Sequence, residues 1–437
     1  MLFDAGKEGA SGHVSRIQTD SAAPDASGGS VFAVWTRPLD DQPMAGRLRT
    51  AQSIRRAIDT GGAYRSAIMP SILSHKSVWR FAQAGLTLLG WLLRGQPLPL
   101  QCALFASRRD IVDLCRIIPR HGVVYLDGIR LYPLARQLRA QRPTQRIVMD
   151  IDDLMSRRTE LLLKNRQPQS LGYLTEQFSP FARRLISAFS HWLLVYERTA
   201  LRGAERRAVA ITDGVVLVSA AEADALRDMV GAPLSARVHV IPPPIGVVSP
   251  KPAAFDQVQR FIFVGSDGLT QNRLTIDYLI KLWRRLRPQT PLILFGRQWR
   301  DLPLPDGVVA AGYVESLSDI YNPQSVLVTP SFIGGGIKTK VLEAFAHRTP
   351  VIGNAETFES LGLPDYSLCV TEESRLEELV LHPDRFGSTF RQAAEQGYAW
   401  VQARYTPEIF ADRWRSVLAL PRRTGHDAQD RRVAEPV

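Results

Sequence analysis

Short apolar runs separated by longer amphipathic stretches organise the first half of this chain. Val31-Phe-Ala-Val-Trp35 has the length and the β-branched, aromatic content of a buried strand, and residues 45–58 place Ile54 and Ile58 on one helical face. Further runs at Gln101–Ala106, Gly122–Leu126, Arg146–Ile151, Gly214–Ser219 and Val238–Ile241 predict strands. The intervening periodicity predicts helices over 108–117, 130–141, 171–209 and 220–230. Strands that alternate with helices need crossover connections, which implies a mostly parallel sheet.

Pro242-Pro-Pro-Ile-Gly-Val-Val-Ser-Pro-Lys-Pro252 interrupts that rhythm. Five prolines in eleven residues continue neither a helix nor a central strand. Beyond it the pattern restarts, with strands at Phe261–Gly265, Pro291–Gly296, Val308–Val314, Ser325–Thr329 and Pro350–Gly353. Helices are predicted at 272–287, 316–321, 336–347, 356–361, 373–381, 384–403 and 406–419. The fold class is therefore α/β, as two doubly wound domains. Residues 1–30 read as a disordered lead, 31–243 as the first domain, 244–260 as a proline-rich linker and 261–405 as the second domain. Residues 406–420 read as a terminal helix free to pack back on the first domain, and 421–437 as a disordered tail.

Composition narrows the class. A chain of 437 residues with 45% apolar and 22% charged residues suits two ordinary globular domains. Cys102, Cys115 and Cys369 are scattered and odd in number, so neither a disulfide framework nor a metal-ligand spacing is present, and a reducing, cytoplasmic setting is expected. Residues 1–30 lack the apolar core of a secretory signal, and the apolar stretch Phe81–Leu93 falls short of the ~20 residues that span a bilayer. The net charge of +11, mostly arginine, favours anionic partners such as nucleotides and phospholipid headgroups. No RNA-recognition, zinc-finger or helix-turn-helix signature accompanies it, so no nucleic-acid partner is expected.

The chemistry concentrates in Thr329-Pro-Ser-Phe-Ile-Gly-Gly-Gly-Ile-Lys-Thr-Lys-Val-Leu-Glu343, followed by Ala344-Phe-Ala-His-Arg-Thr-Pro-Val-Ile-Gly353. It reads as strand, glycine turn, helix and strand. Free N–H groups at a helix start attract anions, and Gly334, Gly335 and Gly336 let a phosphate approach the backbone. At ~1.5 Å per residue, Glu343 lies roughly 10 Å beyond Gly336, comparable to the span from diphosphate to ribose. A carboxylate accepts two hydrogen bonds from a ribose diol. Gly335, Gly336 and Lys338 are thus assigned to the phosphates and Glu343 to the ribose. The plainer reading of Lys340 and Glu343 is a surface ion pair. Two of the seven lysines fall in this motif, beside an arginine-rich remainder.

Three other features are two-sided. Asp150-Ile-Asp152-Asp153 contains the Asp-x-Asp metal cue, but helix capping is the preferred reading, and no metal or cofactor beyond the substrate is expected. Asp127, at a strand end, either serves as a polarising carboxylate or caps the turn before Arg130. The apolar and basic stretch from His75 to Arg94 is either a membrane-interface helix or a buried one.

The ordered pattern resembles glycosyltransferase family 4, over roughly residues 31–418. Thr329-Pro-Ser331, Gly334-Gly-Gly336, Leu342-Glu-Ala344 and Pro350-Val-Ile352 match its donor motif, with Gly335 standing where the first of two family glutamates usually stands and Glu343 matching the second. Phe261-Ile-Phe-Val-Gly-Ser266 with Asn272 resembles its other donor-side loop, and Ala311-Gly-Tyr-Val-Glu315 the segment passing the nucleotide base. Pro43-Met-Ala-Gly-Arg47 resembles the loop facing the acceptor. The resemblance implies the GT-B fold, two Rossmann-like domains facing each other across a cleft, and retaining, metal-independent hexosyl transfer. The donor would be a UDP- or GDP-sugar and the acceptor a glycan or lipid-linked molecule, in cytoplasmic synthesis of surface polysaccharide, with peripheral contact to the inner face of the membrane through 75–94. It implies donor contacts for Gly265, Ser266, Asn272, Gly335, Gly336 and Lys340, catalytic roles for Lys338, Glu343 and Asp127, and acceptor contacts for Gly46 and Arg47. A nucleotide-sugar epimerase and a non-catalytic binding protein are the alternatives. A dinucleotide-dependent oxidoreductase would need Gly-x-Gly-x-x-Gly after the first strand, and Val31–Pro38 is not followed by one.

Overall fold

The computed structural model describes residues 19–20, 30–36, 53–57, 64–72, 78–164, 180–245, 252–297, 303–363 and 365–420. Gly46, Arg47 and the tail 421–437 lie outside the described residues, as does most of the lead. Within that lead, Thr19 and Asp20 form an edge strand rather than disordered chain.

The first domain is built on seven strands: β1 (Thr19–Asp20), β2 (Val31–Trp35), β3 (Tyr64–Ile68), β4 (Val123–Asp127), β5 (Arg146–Asp152), β6 (Gly214–Leu217) and β7 (Val238–Val240). Their spatial order is β1-β3-β2-β4-β5-β6-β7, parallel throughout except for the antiparallel β1–β3 pair. Every residue of β2, β4 and β6 is buried, as expected of strands covered by helices on both faces.

Two sequence expectations change here. The run at 101–106 is not a strand: Leu100–Ala103 is a short helix, whose first N–H groups are met by Glu197, with Leu100 N donating to Oε2 at 2.6 Å. That cap comes from the helix Pro180–Ile211, 97 positions away, so no local signal carries it. The strand missed by periodicity is β3, whose Tyr64-Arg-Ser-Ala-Ile68 mixes polar and apolar residues and is held by its neighbours; the Trp35 indole N–H donates to the Tyr64 hydroxyl at 2.9 Å.

The second domain holds β8 (Arg260–Val264), β9 (Leu292–Phe295), β10 (Val308–Gly312), β11 (Ser325–Val328) and β12 (Val351–Ile352), all parallel, in the order β10-β9-β8-β11-β12. The reversal of order at β8 and β11 makes a crevice at their carboxyl ends, where ligands of open α/β sheets sit. The helix Thr339–Ala346 packs on Gly387–Arg404, and a Cβ at Gly397 would run into the Phe345 ring. Glycine is required there by close helix approach.

The terminal helix Pro407–Leu418 leaves the second domain and covers the first. Phe410, Trp414 and Leu418 are buried with Trp35, Tyr125 and Val216, and the Arg146 guanidinium donates to Val417 O at 2.8 Å. Burying these side chains couples the domains, at about 1.5–3 kcal/mol for each large apolar group.

Candidate functional site

The glycine elbow between β11 and the helix Thr339–Ala346 is fixed from below by side chains. Asn354 grips Ser331 from both sides, its Oδ1 accepting from Ser331 N at 2.9 Å and its Nδ2 donating to Ser331 O at 2.8 Å. Thr357 donates to Thr329 O and Thr275 to Pro330 O, each at 2.8 Å. Gly335 and Gly336 then take φ of +87° and +63°, a left-handed pair that L side chains adopt at a cost.

The elbow faces the first domain at close range. A Cβ at Gly334 would meet Leu161 at 3.8 Å, one at Gly335 would meet Glu222 Oε1 at 3.3 Å, and one at Gly336 would meet Asp153 Oδ1 at 3.2 Å. The Gly336 N–H, assigned from sequence to a phosphate, donates to Glu222 Oε1 at 3.1 Å. Glu222 belongs to the first turn of the helix Ala220–Val230 and is 1% exposed; its Oε2 accepts from Leu154 N at 3.2 Å. Burial, then the neighbouring Asp153 charge, pushes its carboxyl up to about 7. A second bridge runs from Arg157 to Glu359 at 2.5 Å, with Arg157 also donating to Ala221 O at 2.9 Å.

Both motif lysines are inside this crevice. The Lys338 ammonium turns back to donate to Gly335 O at 2.7 Å and is pushed down by burial against the opposing pull of Asp153 and Glu222. The Lys340 ammonium donates to Asn272 Oδ1 at 2.9 Å and sits 4.2 Å from the Phe263 ring centroid. Burial, then Lys338, lowers it to about 7. The Glu343 charge opposes that lowering, so Lys340 faces both the Asn272 amide and Glu343. Glu343 is half-buried one turn further along, against the Tyr321 hydroxyl, which burial and the Glu343 charge push well above its ordinary range.

The second wall is the loop after β8. Asn272 Nδ2 donates to Ser266 O at 2.9 Å, and the Ser266 hydroxyl accepts from Gly268 N at 3.3 Å. Gly265 has φ of +155°, and a Cβ there would lie 2.7 Å from the Asn272 amide. Gly265, Ser266, Asn272, Gly335, Gly336, Lys338, Lys340 and Glu343 therefore form one continuous set at the ends of β8 and β11. Asp127 lies apart, at the end of β4, with Oδ2 accepting from Thr36 Oγ1 at 2.8 Å and Thr36 N at 3.3 Å. Its neighbour Asp150 accepts from the Tyr125 hydroxyl at 2.9 Å, and burial, then Asp152 and Asp127, pushes it up to about 8. No cluster of three metal-ligating side chains occurs among the described residues.

Sequence reasoning missed Glu222, Arg157 and Glu359, and read Asp153 only as a cap or metal cue. Asp153 pairs with Arg158 at 3.3 Å and points at the elbow. A cavity of about 250 Å³ also opens between the domains, bounded by Val218 and Ala220 on one side and Leu361, Trp400 and Tyr405 on the other; none of the sequence-predicted site residues lines it.

Residues 258–370 match the family described as Glycosyl transferases group 1. No curated protein matches the chain by sequence. Among solved structures, a sucrose-phosphate synthase from Thermosynechococcus elongatus aligns at TM-score 0.57 and 15% identity, over 93% of this chain and 100% of that one. HepE from Anabaena, in complex with UDP, aligns at TM-score 0.56 and 12% identity, over 90% and 99%. TarM aligns at TM-score 0.48 and 10% identity, over 70% of this chain, which spans 57% of TarM. The two-sheet architecture is that of the GT-B fold, and the resemblance to glycosyl transferases group 1 holds across the segment that builds the elbow.

Proposed function

We propose that this chain is a glycosyltransferase that moves a hexosyl group from a nucleotide-sugar to a glycan or lipid-linked acceptor with retention at the anomeric carbon, in surface-polysaccharide synthesis. The observation that carries the reading is the Lys340–Asn272 contact, which joins the elbow after β11 to the loop after β8. Breaking the sugar–phosphate bond develops negative charge on the leaving diphosphate. Oriented N–H dipoles and fixed cations lower that barrier because their geometry is set beforehand. Gly335, Gly336 and Lys338 would meet the phosphates, with Lys340 behind them. Glu343 would hold the ribose, and Ser266 and Asn272 would line the opposite wall. This countercharge stands in for a metal. Asp127, fixed by Thr36, would orient the acceptor hydroxyl.

HepE, a structure of the same fold, is recorded with UDP and with UDP-glucose, which favours a UDP-sugar over a GDP-sugar as donor. Membrane contact by the helix Val78–Leu93 draws support from its exposed Leu86, Leu89 and Leu93. No helix among the described residues is long and apolar enough to cross a membrane.

The test is a screen of UDP- and GDP-sugars with mass-spectrometric detection of nucleotide release, with and without glycan and lipid-linked acceptors. Acceptor-dependent release supports transfer. Isomerised free sugar without acceptor would identify an epimerase. A folded protein that binds no nucleotide-sugar would be a binding protein, and the transferase reading would be abandoned.

A further inference from the structure

Glu222 occupies the place where the elbow would meet a donor phosphate. The contact is specific: Oε1 takes the Gly336 N–H across the domain boundary, while Oε2 stays anchored on Leu154 N in its own domain. Glycine at 335 leaves that oxygen its room, since a Cβ there would stand 3.3 Å from it, a tight contact. The Asp153 carboxylate adds a second negative charge beside Gly336. Around Glu222 stand Asp153, Lys338 and Arg157, with Arg158 and Glu359 facing Lys338. A diphosphate brought to this N–H would lie against two carboxylates in a buried crevice, where like charges repel strongly. One N–H cannot serve both anions well.

We propose that Glu222 is an internal gate on the donor site, an anion of the first domain that holds the elbow of the second until a donor phosphate displaces it. The proposal rests on the elbow binding phosphate, the reading given above, and adds its regulation. When Glu222 leaves, the direct backbone link between Gly336 and the first domain is lost while the Arg157–Glu359 ion pair still bridges the domains, so donor entry releases one of the described contacts that tie the elbow to the first domain. Protonation weakens the gate: the neutral acid no longer competes as an anion. Because burial and Asp153 hold this carboxyl near neutrality, the gate is strongest in mild alkali and weakest below pH 6.

The experiment measures UDP and inorganic pyrophosphate binding by calorimetry at pH 6 and pH 8, in the full chain and in Glu222→Gln, which keeps shape and an acceptor but no charge. Glu222→Ala serves as a second variant, and thermal melts establish folding. A gate predicts that at pH 8 both variants bind both probes about tenfold more tightly than the parent, one proton-linked unit above the carboxyl's midpoint, and that the difference closes at pH 6. Equal or weaker binding by the folded variants at pH 8 would overturn the gate, because a structural or donor-contacting Glu222 moves affinity the other way or not at all. Tighter pyrophosphate binding by the variants without any UDP binding would keep the gate and remove the nucleotide-sugar reading. Absence of binding by either probe to any of the three proteins would overturn both.

Discussion

Lys340 and Asn272, 68 positions apart, are joined by a 2.9 Å hydrogen bond from ammonium to amide oxygen, and the same amide then donates to Ser266 O. The lysine therefore helps orient the loop after β8, acting through the Asn272 amide. Lys340→Met keeps the aliphatic length and removes the charge. The Asn272 oxygen would then be left without its donor in a buried setting, a loss of about 1–3 kcal/mol for an unsatisfied buried acceptor. The expected result is a fall in UDP-sugar kcat/KM of roughly 10- to 100-fold, by the usual conversion of free energy to rate. Steady-state kinetics on the folded variant checks this; an unchanged kcat/KM would separate Lys340 from donor handling.

Gly265 tests the same wall through backbone geometry. With φ at +155° and the Asn272 amide 2.7 Å from any Cβ, Gly265→Ala must strain the turn and push Asn272 off Lys340. A cost of about 1–3 kcal/mol in stability is expected, with weakened UDP binding. Gly85→Ala is the control, since nothing lies within 4 Å of a Cβ there and residue 85 sits in the helix Val78–Leu93. It should gain about 0.5–1 kcal/mol and leave UDP binding alone. Chemical denaturation and calorimetry on both variants decide the matter; equal behaviour would mean that the Gly265 turn relaxes freely.

The second domain is the more legible one because β8, β9 and β11 carry the apolar runs Phe261–Val264, Leu292–Phe295 and Val326–Val328, each followed within two residues by glycine or proline, and a parallel strand buried on both faces reads as such a run. The elbow was legible for the same reason, as a local sequence of glycines and lysines. What stayed hidden depends on distance along the chain. Glu222 meets Gly336 over 114 positions, and nothing at Ser219-Ala-Ala-Glu222 distinguishes it from the opening turn of any acid-started helix. Likewise the Leu100–Ala103 turn is helical because Glu197 meets its first N–H, a partner the run Gln101–Ala106 does not contain. Periodicity reports the face a residue presents, not which charge arrives from another element.

Asp150 offers a pH test. Burial first, then Asp152 and Asp127, raises its carboxyl from an ordinary 3.8 to about 8, so the folded chain holds a proton that the unfolded chain releases near pH 4. Between those values the native state binds more protons than the unfolded one, and stability falls as pH rises. Asp150→Asn keeps an acceptor for the Tyr125 hydroxyl and has no proton to lose. It should melt close to the parent at pH 5 and progressively above it as pH rises from 5 to 9. Melting curves at those pH values give the answer; parallel losses in both proteins would mean that Asp150 ionises as readily folded as unfolded.

Leu86, Leu89 and Leu93 follow an i, i+3, i+7 spacing on the helix Val78–Leu93 and are 66%, 51% and 79% exposed, while Leu88 and Trp91 on the other side pack against the first domain's core. Trp192, 70% exposed, adds a large aromatic to the same domain's surface, and Arg94 closes the helix with an exposed cation. Fully burying a leucine is worth about 1.5–3 kcal/mol, so inserting three into a lipid interface is ample for reversible binding, with the basic chain drawn to an anionic bilayer. The parent should therefore sediment with phosphatidylglycerol-containing vesicles and much less with purely zwitterionic ones. Replacing the three leucines together by glutamine should cut vesicle binding at least tenfold while changing the melting temperature little, because all three side chains are more than half exposed in the folded chain. Vesicle binding that survives the triple replacement would move the membrane contact elsewhere, and a parent that ignores anionic vesicles would leave this leucine face to some other partner.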